Sequence, residues 1–385
     1  MRRPVQWSLW IIPLVLSACG LIMIASLSLR NSIAVGSPYN APFKQLQFLF
    51  LGVVCAFCCA VTSPNVFRKY SGIMWSISLI LVALAAVPGI GIKVGGARRW
   101  LSLAGVRFQP LELLLITVPL VMANRLMKSQ RKGLFGFINP TVFVIICSVV
   151  PLLMQPNLGG SIIVTAICFI MHIEAKGWKW PSIGVVIGIS AIILLIIFSP
   201  YRRNRALAYL DPWEDARGKG YQIIQGLVAF SNGNLTGVGI GKGLQKDTFL
   251  PEADTDYIFP AIGEEFGLVG TMTLILLYAV WTRRVYILYK QLKLLNYNYL
   301  ALLSLGLAAS VICPMFVNIA GVTKLMPLSG SPLPFISAGG SSMLCMWLKI
   351  GMLMAINTIA FSEDNKDNNE QNNINNIKEV KRALN

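Results

Sequence analysis

Charge is scarce in this chain. Asp, Glu, Lys and Arg together make up 13% of its 385 residues, about half the share found in a soluble domain. Too little polar surface remains to cover a water-facing shell, so a soluble globular fold is excluded. Histidine occurs once, as His172 at the end of an apolar run, where an interfacial place suits it better than a ligand's. Paired cysteine motifs at metal spacing are also missing. The eight cysteines, Cys19, Cys55, Cys58, Cys59, Cys147, Cys168, Cys313 and Cys345, all lie inside apolar runs. They read as small apolar core residues. Acids are few, and their placement is uneven. Of sixteen Asp and Glu, five lie beyond residue 362 and nine fall between Asp211 and Glu265. The other two are Glu112 and Glu174.

What the chain has is hydrophobic length. Apolar segments run near 8–28, 44–62, 73–89, 110–127, 138–154, 157–174, 181–199, 262–282, 300–321 and 337–361. Each is about long enough to cross a bilayer as a helix. The chain is therefore expected to be all-α, a polytopic membrane bundle of about ten transmembrane helices over residues 1–362. One large extracytoplasmic loop spans about 200–261, and a polar tail over 363–385 is expected to be disordered in the cytoplasm. Leu16-Ser17-Ala18-Cys19 resembles a lipoprotein cleavage box. The apolar run continues past it to Leu29, so the segment is expected to stay as a spanning helix.

The net charge of +17 does not indicate nucleic acid. Its basic residues stand in short clusters between apolar runs, with no basic stripe and no interleaved aromatics. Such clusters orient membrane helices. With the N-terminus inside, fourteen Lys and Arg fall in inner segments and seven in short outer ones. Both termini are then cytoplasmic, and the 200–261 loop is outside. Arg98, Arg99 and Arg107 sit against this bias, which points to an anionic ligand near them.

Acids close to a bilayer are costly and commonly functional, so the loop is where chemistry is expected. Leu210-Asp211-Pro212-Trp213-Glu214-Asp215 reads as a turn with an aromatic anchor. The glycine-rich stretch from Asn232 to Gly243 is not a P-loop, because Thr236 and Gly243 occupy positions that require Gly and Ser/Thr. Two readings of it stand: a set of tight turns, or a backbone cradle for phosphate. Asp256 lies directly before the eighth apolar segment, with Glu252 and Asp254 nearby. It too has two readings: Thr255 or Asp256 caps a helix, or Asp256 is a carboxylate held at the membrane surface for chemistry.

Four stretches resemble the SEDS glycosyltransferases, the family of FtsW, RodA and SpoVE. They are Gly96-Ala97-Arg98-Arg99-Trp100 with Phe108-Gln109-Pro110; Leu210-Asp211-Pro212-Trp213 with Gly220-Tyr221-Gln222; Gln245-Lys246 through Pro251-Glu252-Ala253-Asp254-Thr255-Asp256-Tyr257-Ile258-Phe259 to Gly263-Glu264-Glu265; and Leu333-Pro334-Phe335-Ile336-Ser337 with Gly339-Gly340-Ser341-Ser342. The likeness spans about residues 8–360 and is nearest the FtsW branch. It implies a bacterial inner-membrane enzyme that polymerises lipid II into glycan strands, for septal wall synthesis in cell division. It implies Asp256 as the catalytic base. Arg98, Arg99, Trp100, Gln109, Glu112, Lys246, Glu252 and Thr255 are implied to bind substrate. A divalent cation, Mg or Mn, is the one cofactor it allows for. A class B penicillin-binding protein and divisome proteins are the implied partners, alongside lipid II and undecaprenyl-linked glycan. A lipid II flippase and a scaffold for that penicillin-binding protein are the rival readings. The chain departs from the family pattern at Leu111, Leu115, Asn157 and Asp254, where Ser, Lys, Asp and His are usual. Glu112 thus lacks the lysine expected within its own helix.

Overall fold

The computed structural model describes residues 7–31, 40–94, 96–103, 105–129, 133–198, 209–218, 220–245, 249–250, 252–327 and 330–383. The expected apolar segments appear as helices in the expected order: α1 Ser8–Asn31, α2 Asn40–Val61, α3 Pro64–Ala86, α4 Pro110–Lys128, α5 Gly133–Met154, α6 Leu158–Lys176 and α7 Lys179–Ile197. A short helix in the loop, α8, spans Tyr221–Gly233. After it come α9 Ile258–Leu294, α10 Asn298–Val322 and α11 Gly340–Ala383. Among the described residues nine helices are long and apolar enough to span a bilayer, and α7 adds a further apolar helix of 19 residues. The bundle is a multi-pass membrane fold.

Three features differ from the expectation. A three-stranded antiparallel sheet, β1 Ile92–Val94, β2 Ala97–Leu103 and β3 Val106–Phe108, joins α3 to α4. The third span starts at Pro64 and not near residue 73, because Pro at the helix start and the polar Arg68-Lys69 turn belong to the helix. The polar tail, expected to be without structure, continues α11 as helix to Ala383; it holds no Pro or Gly that would stop a helix.

The bundle is layered by burial. α4, α10 and the apolar part of α11 are buried on most sides. α2 packs along α11, and α3 packs along α4. Both α2 and α3 turn apolar side chains outward, among them Phe50, Phe57, Ile73 and Ile80. Such faces suit contact with acyl chains, which need no polar cover.

The isolated polar residues are accounted for by packing. His172 is buried, not interfacial: Thr141 Oγ1 lies 2.7 Å from its Nδ1, and the Phe137 ring stands edge-on to it. All eight cysteines are free. Cys168 and Cys345 are buried as expected, whereas Cys58 is exposed on α2, an outward helix. α1 runs without a break through Cys19.

Candidate active site

The chain approaches the site through the turns preceding α9. Glu252 adopts φ +56° and stays exposed. Its carbonyl accepts the amides of Thr255 at 3.1 Å and Tyr257 at 3.2 Å. Thr255 Oγ1 donates to that same carbonyl at 3.3 Å. The N-cap of α9 is Tyr257, with no side-chain cap. Thr255 and Asp256 thus stand just ahead of the N-cap position, and the Thr255 hydroxyl turns back to the Glu252 carbonyl.

A second loop, between α10 and α11, straps this turn in place. Asn318 Nδ2, from inside α10, donates to the carbonyl of Asp256 at 2.9 Å and to that of Ser331 at 2.7 Å. Ser337 Oγ donates to the carbonyl of Thr255 at 2.6 Å and accepts the Leu333 amide at 2.8 Å. The Ala338 amide donates to the carbonyl of Asp254 at 2.8 Å. Gln45 of α2 holds the strap from outside, donating to the Ser337 carbonyl and accepting the Gly339 amide. Tyr278 of α9 donates to the carbonyl of Pro334. The backbone of 254–256 is thus fixed on several sides, which is the condition for a preorganised side chain.

The Asp256 side chain projects toward Gly330. A Cβ placed on Gly330 would lie 3.2 Å from Asp256 Oδ2 and 3.8 Å from Arg99 Nη1. Carboxylate and guanidinium therefore both border the place where a side chain at Gly330, φ +68°, would stand. Arg99 reaches this place from β2 and is tethered to the next hairpin, where Nη2 donates to the carbonyl of Pro156 at 2.8 Å. The pairing of β1 with β2 slips here, and the register passes over Arg99. Arg98 lies opposite Lys93 and Trp100 opposite Ile92 in the register with β1. Both are half-buried.

Gln109 and Glu112 sit one layer deeper. Gln109 is buried, and its amide donates to Ser341 Oγ at 3.3 Å. Glu112 is 3% exposed, and the Ser342 hydroxyl bonds its carboxyl. Lys349, fully buried on α11, interacts electrostatically with that carboxyl. Its Nζ donates to the carbonyl of Ser310 at 3.0 Å. The cation missing at Leu115 is therefore supplied from another helix. Asn157 keeps a local task where an acid is usual: its Oδ1 accepts the Gly160 amide at 3.0 Å and caps α6.

The glycine-rich stretch is built of tight turns, with Gly237, Gly239 and Gly241 at positive φ. Its Gly241 amide, and the amides of Leu244 and Gln245 just after it, face two of the chain's own buried carboxylates. Glu264 Oε1 accepts the amides of Leu244 and Gln245, each at 3.0 Å. Glu265 Oε1 accepts the Gly241 amide at 2.8 Å and the Ser26 hydroxyl at 3.0 Å. α9 breaks at Gly267, φ 65°, and the loop fills the break: the amides of Leu268 and Val269 donate to the carbonyls of Asn234 and Leu235.

Of the sequence-derived candidates, Asp256, Arg99 and Thr255 meet at one place. Gln109 and Glu112 join it through the strap, Arg98 and Trp100 lie on the adjoining sheet, and Glu252 shapes the turn. Lys246 lies outside the described residues. Sequence reading passed over Asn318 and Gly330. Asn318 did leave a signal, as a lone amide in an apolar run. Among the described residues no three His, Cys, Asp or Glu converge as a metal site.

Comparison with known proteins agrees across methods. The family described as "Cell cycle protein", covering FtsW, RodA and SpoVE, matches residues 6–361. A probable peptidoglycan glycosyltransferase FtsW of Coxiella burnetii is 35% identical, over 92% of this chain and 98% of its own. Its counterpart in Escherichia coli O6:H1 is 35% identical over 89% and 83%. One chain of the structure described as "Structural coordination of polymerization and crosslinking by a peptidoglycan synthase complex" superposes with TM-score 0.75 at 25% identity, covering 92% of this chain. The rod shape determining protein RodA of Thermus thermophilus shares the fold, with TM-score 0.67 at 24% identity. The chain belongs to the FtsW/RodA/SpoVE family.

Proposed function

We propose that this chain is a peptidoglycan glycosyltransferase that polymerises lipid II at the outer face of the inner membrane, with Asp256 as general base. One observation carries the reading: a carboxylate on an over-determined turn and a guanidinium on a separate sheet both approach Gly330. Glycosyl transfer needs both kinds of group. The acceptor is the C4 hydroxyl of the lipid II GlcNAc, a poor nucleophile at neutral pH. Asp256 takes its proton as the new bond forms at the anomeric carbon of the strand's MurNAc. The bond from that carbon to the diphosphate breaks with inversion, and its electron pair leaves on undecaprenyl pyrophosphate. Arg99 faces that developing charge. Arg98, Trp100 and Lys246 extend the binding surface for diphosphate and sugar. A divalent cation would come with the diphosphate, not in a protein cage, because one or two carboxylates with substrate phosphates suffice for Mg.

The flippase reading needs polar groups through the membrane depth. Glu112 and Lys349 are instead both buried, coupled electrostatically and bonded to Ser342 and to the Ser310 carbonyl respectively, which supports bond making over passage. The partner is a class B penicillin-binding protein in the divisome, with both termini of this chain cytoplasmic and the protein at the septum.

The test is lipid II polymerisation in liposomes, wild type against Asp256→Asn, each with and without the cognate penicillin-binding protein. Wild type makes glycan, and the variant is slower by about a hundredfold or more. Equal rates in the two would remove Asp256 from the chemistry. No product from wild type with a competent partner and Mg would move the assignment to flippase or scaffold.

A further inference from the structure

A second charged cavity lies at the opposite end of the bundle. It has a volume of about 380 Å³ and is lined by Ser71, Gly72, Trp75 and Ser76 of α3 and by Val121, Asn124, Arg125 and Lys128 of α4. α4 has 19 residues and at 1.5 Å per residue spans about 28 Å. Its N-cap Gln109 and first-turn Glu112 lie beneath the active-site strap, and its last turn carries Arg125 and Lys128. The cavity therefore belongs to the other leaflet, beyond reach of Asp256.

Two cations stand in this cavity, and among the described residues no carboxylate pairs with either of them. Arg125 is held in place by rings, with its guanidinium 4.4 Å from the centre of Phe143 and 5.9 Å from that of Trp75. Trp75 is in turn fixed by donating to Ser148 Oγ at 3.2 Å. The polar wall is built as well: Asn124 Nδ2 donates to Ser71 Oγ at 3.1 Å. Gly72 and Ser76 are exposed, and a Cβ on Gly72 would meet nothing within 4 Å, so the cavity opens sideways between α3 and α4. Beside that mouth Ile73, Ile77, Phe143 and Ile146 are exposed on helices that span the membrane. Cations at the depth of the head groups, with an apolar wall running toward the bilayer centre, match an amphiphile with one anionic end.

We propose that this cavity binds an anionic phospholipid, its phosphate on Arg125 and Lys128 and its acyl chains along Ile73, Ile77 and Phe143. Charge complementarity selects the occupant: basic pockets between spanning helices attract acidic head groups, at about 1 kcal/mol, or about fivefold in affinity, for each cation. Zwitterionic lipids lack the net charge, and soluble anions lack the chains. The site is independent of the chemistry at Asp256.

Native mass spectrometry of the full chain, released from nanodiscs of mixed phosphatidylglycerol and phosphatidylcholine, provides the test. Wild type should retain phosphatidylglycerol selectively. Arg125→Gln and Lys128→Gln should each lower that retention about fivefold. Gly72→Leu should lower it with both charges intact, by filling the mouth. Lys93→Gln, at the other end of the bundle, should leave it unchanged. Equal retention of the two lipids overturns the proposal, as does wild-type retention in the Arg125 or the Gly72 variant. Displacement by glycerophosphoglycerol at equal concentration would mark a free-anion site and also overturn it. Preferential displacement by undecaprenyl phosphate would hand the cavity to the substrate lipid.

Discussion

The Asp256 carboxylate and the Arg99 guanidinium approach the open side of Gly330 from two directions, 3.2 and 3.8 Å from where a Cβ there would stand. They come from elements far apart in the chain, a turn before α9 and the strand β2. Gly330 offers them only a hydrogen where any other residue would place a side chain. Gly330→Ala puts a methyl group into that space and an L residue at φ +68°. The backbone alone costs about 1–2 kcal/mol. Polymerisation by the alanine variant is expected to fall at least about tenfold, with lipid II binding affected less. Steady-state turnover and a fluorescent lipid II binding assay separate the two. Full turnover in Gly330→Ala would mean that the gap takes no part in catalysis.

Asn318 governs the same geometry from behind. One amide nitrogen ties the carbonyls of Asp256 and Ser331 together. Asn318→Leu keeps the volume but leaves both carbonyls without that donor, which costs about 1–3 kcal/mol for a buried polar group. The expected result is lower thermal stability and a larger proportional loss of turnover than of lipid II binding. A variant that loses stability but turns over normally at low temperature would reduce Asn318 to a packing residue.

The spans were legible because an apolar run near twenty residues has few other uses. The sheet between α3 and α4 was not: its strands are short, and Lys93, Arg98, Arg99 and Arg107 make it read as a charged loop. The helix Tyr221–Gly233 escaped because it is short and lies within a stretch rich in turn residues. Asp256 was legible as a candidate from its place before a span and from its resemblance. Its competing role as a cap is not legible, since a carboxylate one residue before an N-cap looks the same in sequence either way. The glycine-rich stretch shows the converse. Its glycines signalled turns, and only the fold reveals that Glu265 meets the Gly241 amide and Glu264 the amides of Leu244 and Gln245.

The pair Glu112 and Lys349 ties α4 to α11 inside the bundle, one layer beneath the strap. Removing one member of a buried pair leaves an uncompensated charge, at about 3–5 kcal/mol, whereas replacing both costs far less. Glu112→Gln and Lys349→Met should each lower the unfolding temperature in detergent markedly, and the double variant should recover most of the loss. Additive losses in the cycle would show that the two groups act separately and that Lys349 does not stand in for a lysine at position 115.

Glu264 and Glu265 make a last prediction, about the loop. Each is 1% exposed, and between them they accept the amides of Gly241, Leu244 and Gln245. Hydrogen bonds to a charged acceptor contribute about 1.5–3 kcal/mol each, roughly twice the neutral case. Glu264→Gln and Glu265→Gln remove the charge and keep the shape, so the loop should stay placed but open more often. Hydrogen exchange of residues 238–245 should speed up by at least about tenfold in either variant, while α4 and α10 exchange as before. Turnover should fall with it, because the same loop leads through Lys246 into the turn that carries Asp256. If exchange in 238–245 is unchanged, the amides draw no strength from these carboxylates, and the stretch is held by its glycine-to-helix contacts at Gly233, Gly237 and Gly267 alone. Gly267→Ala distinguishes that outcome: a Cβ there would stand 2.4 Å from the carbonyl oxygen of Leu235, so it should free the loop even where the glutamates do not.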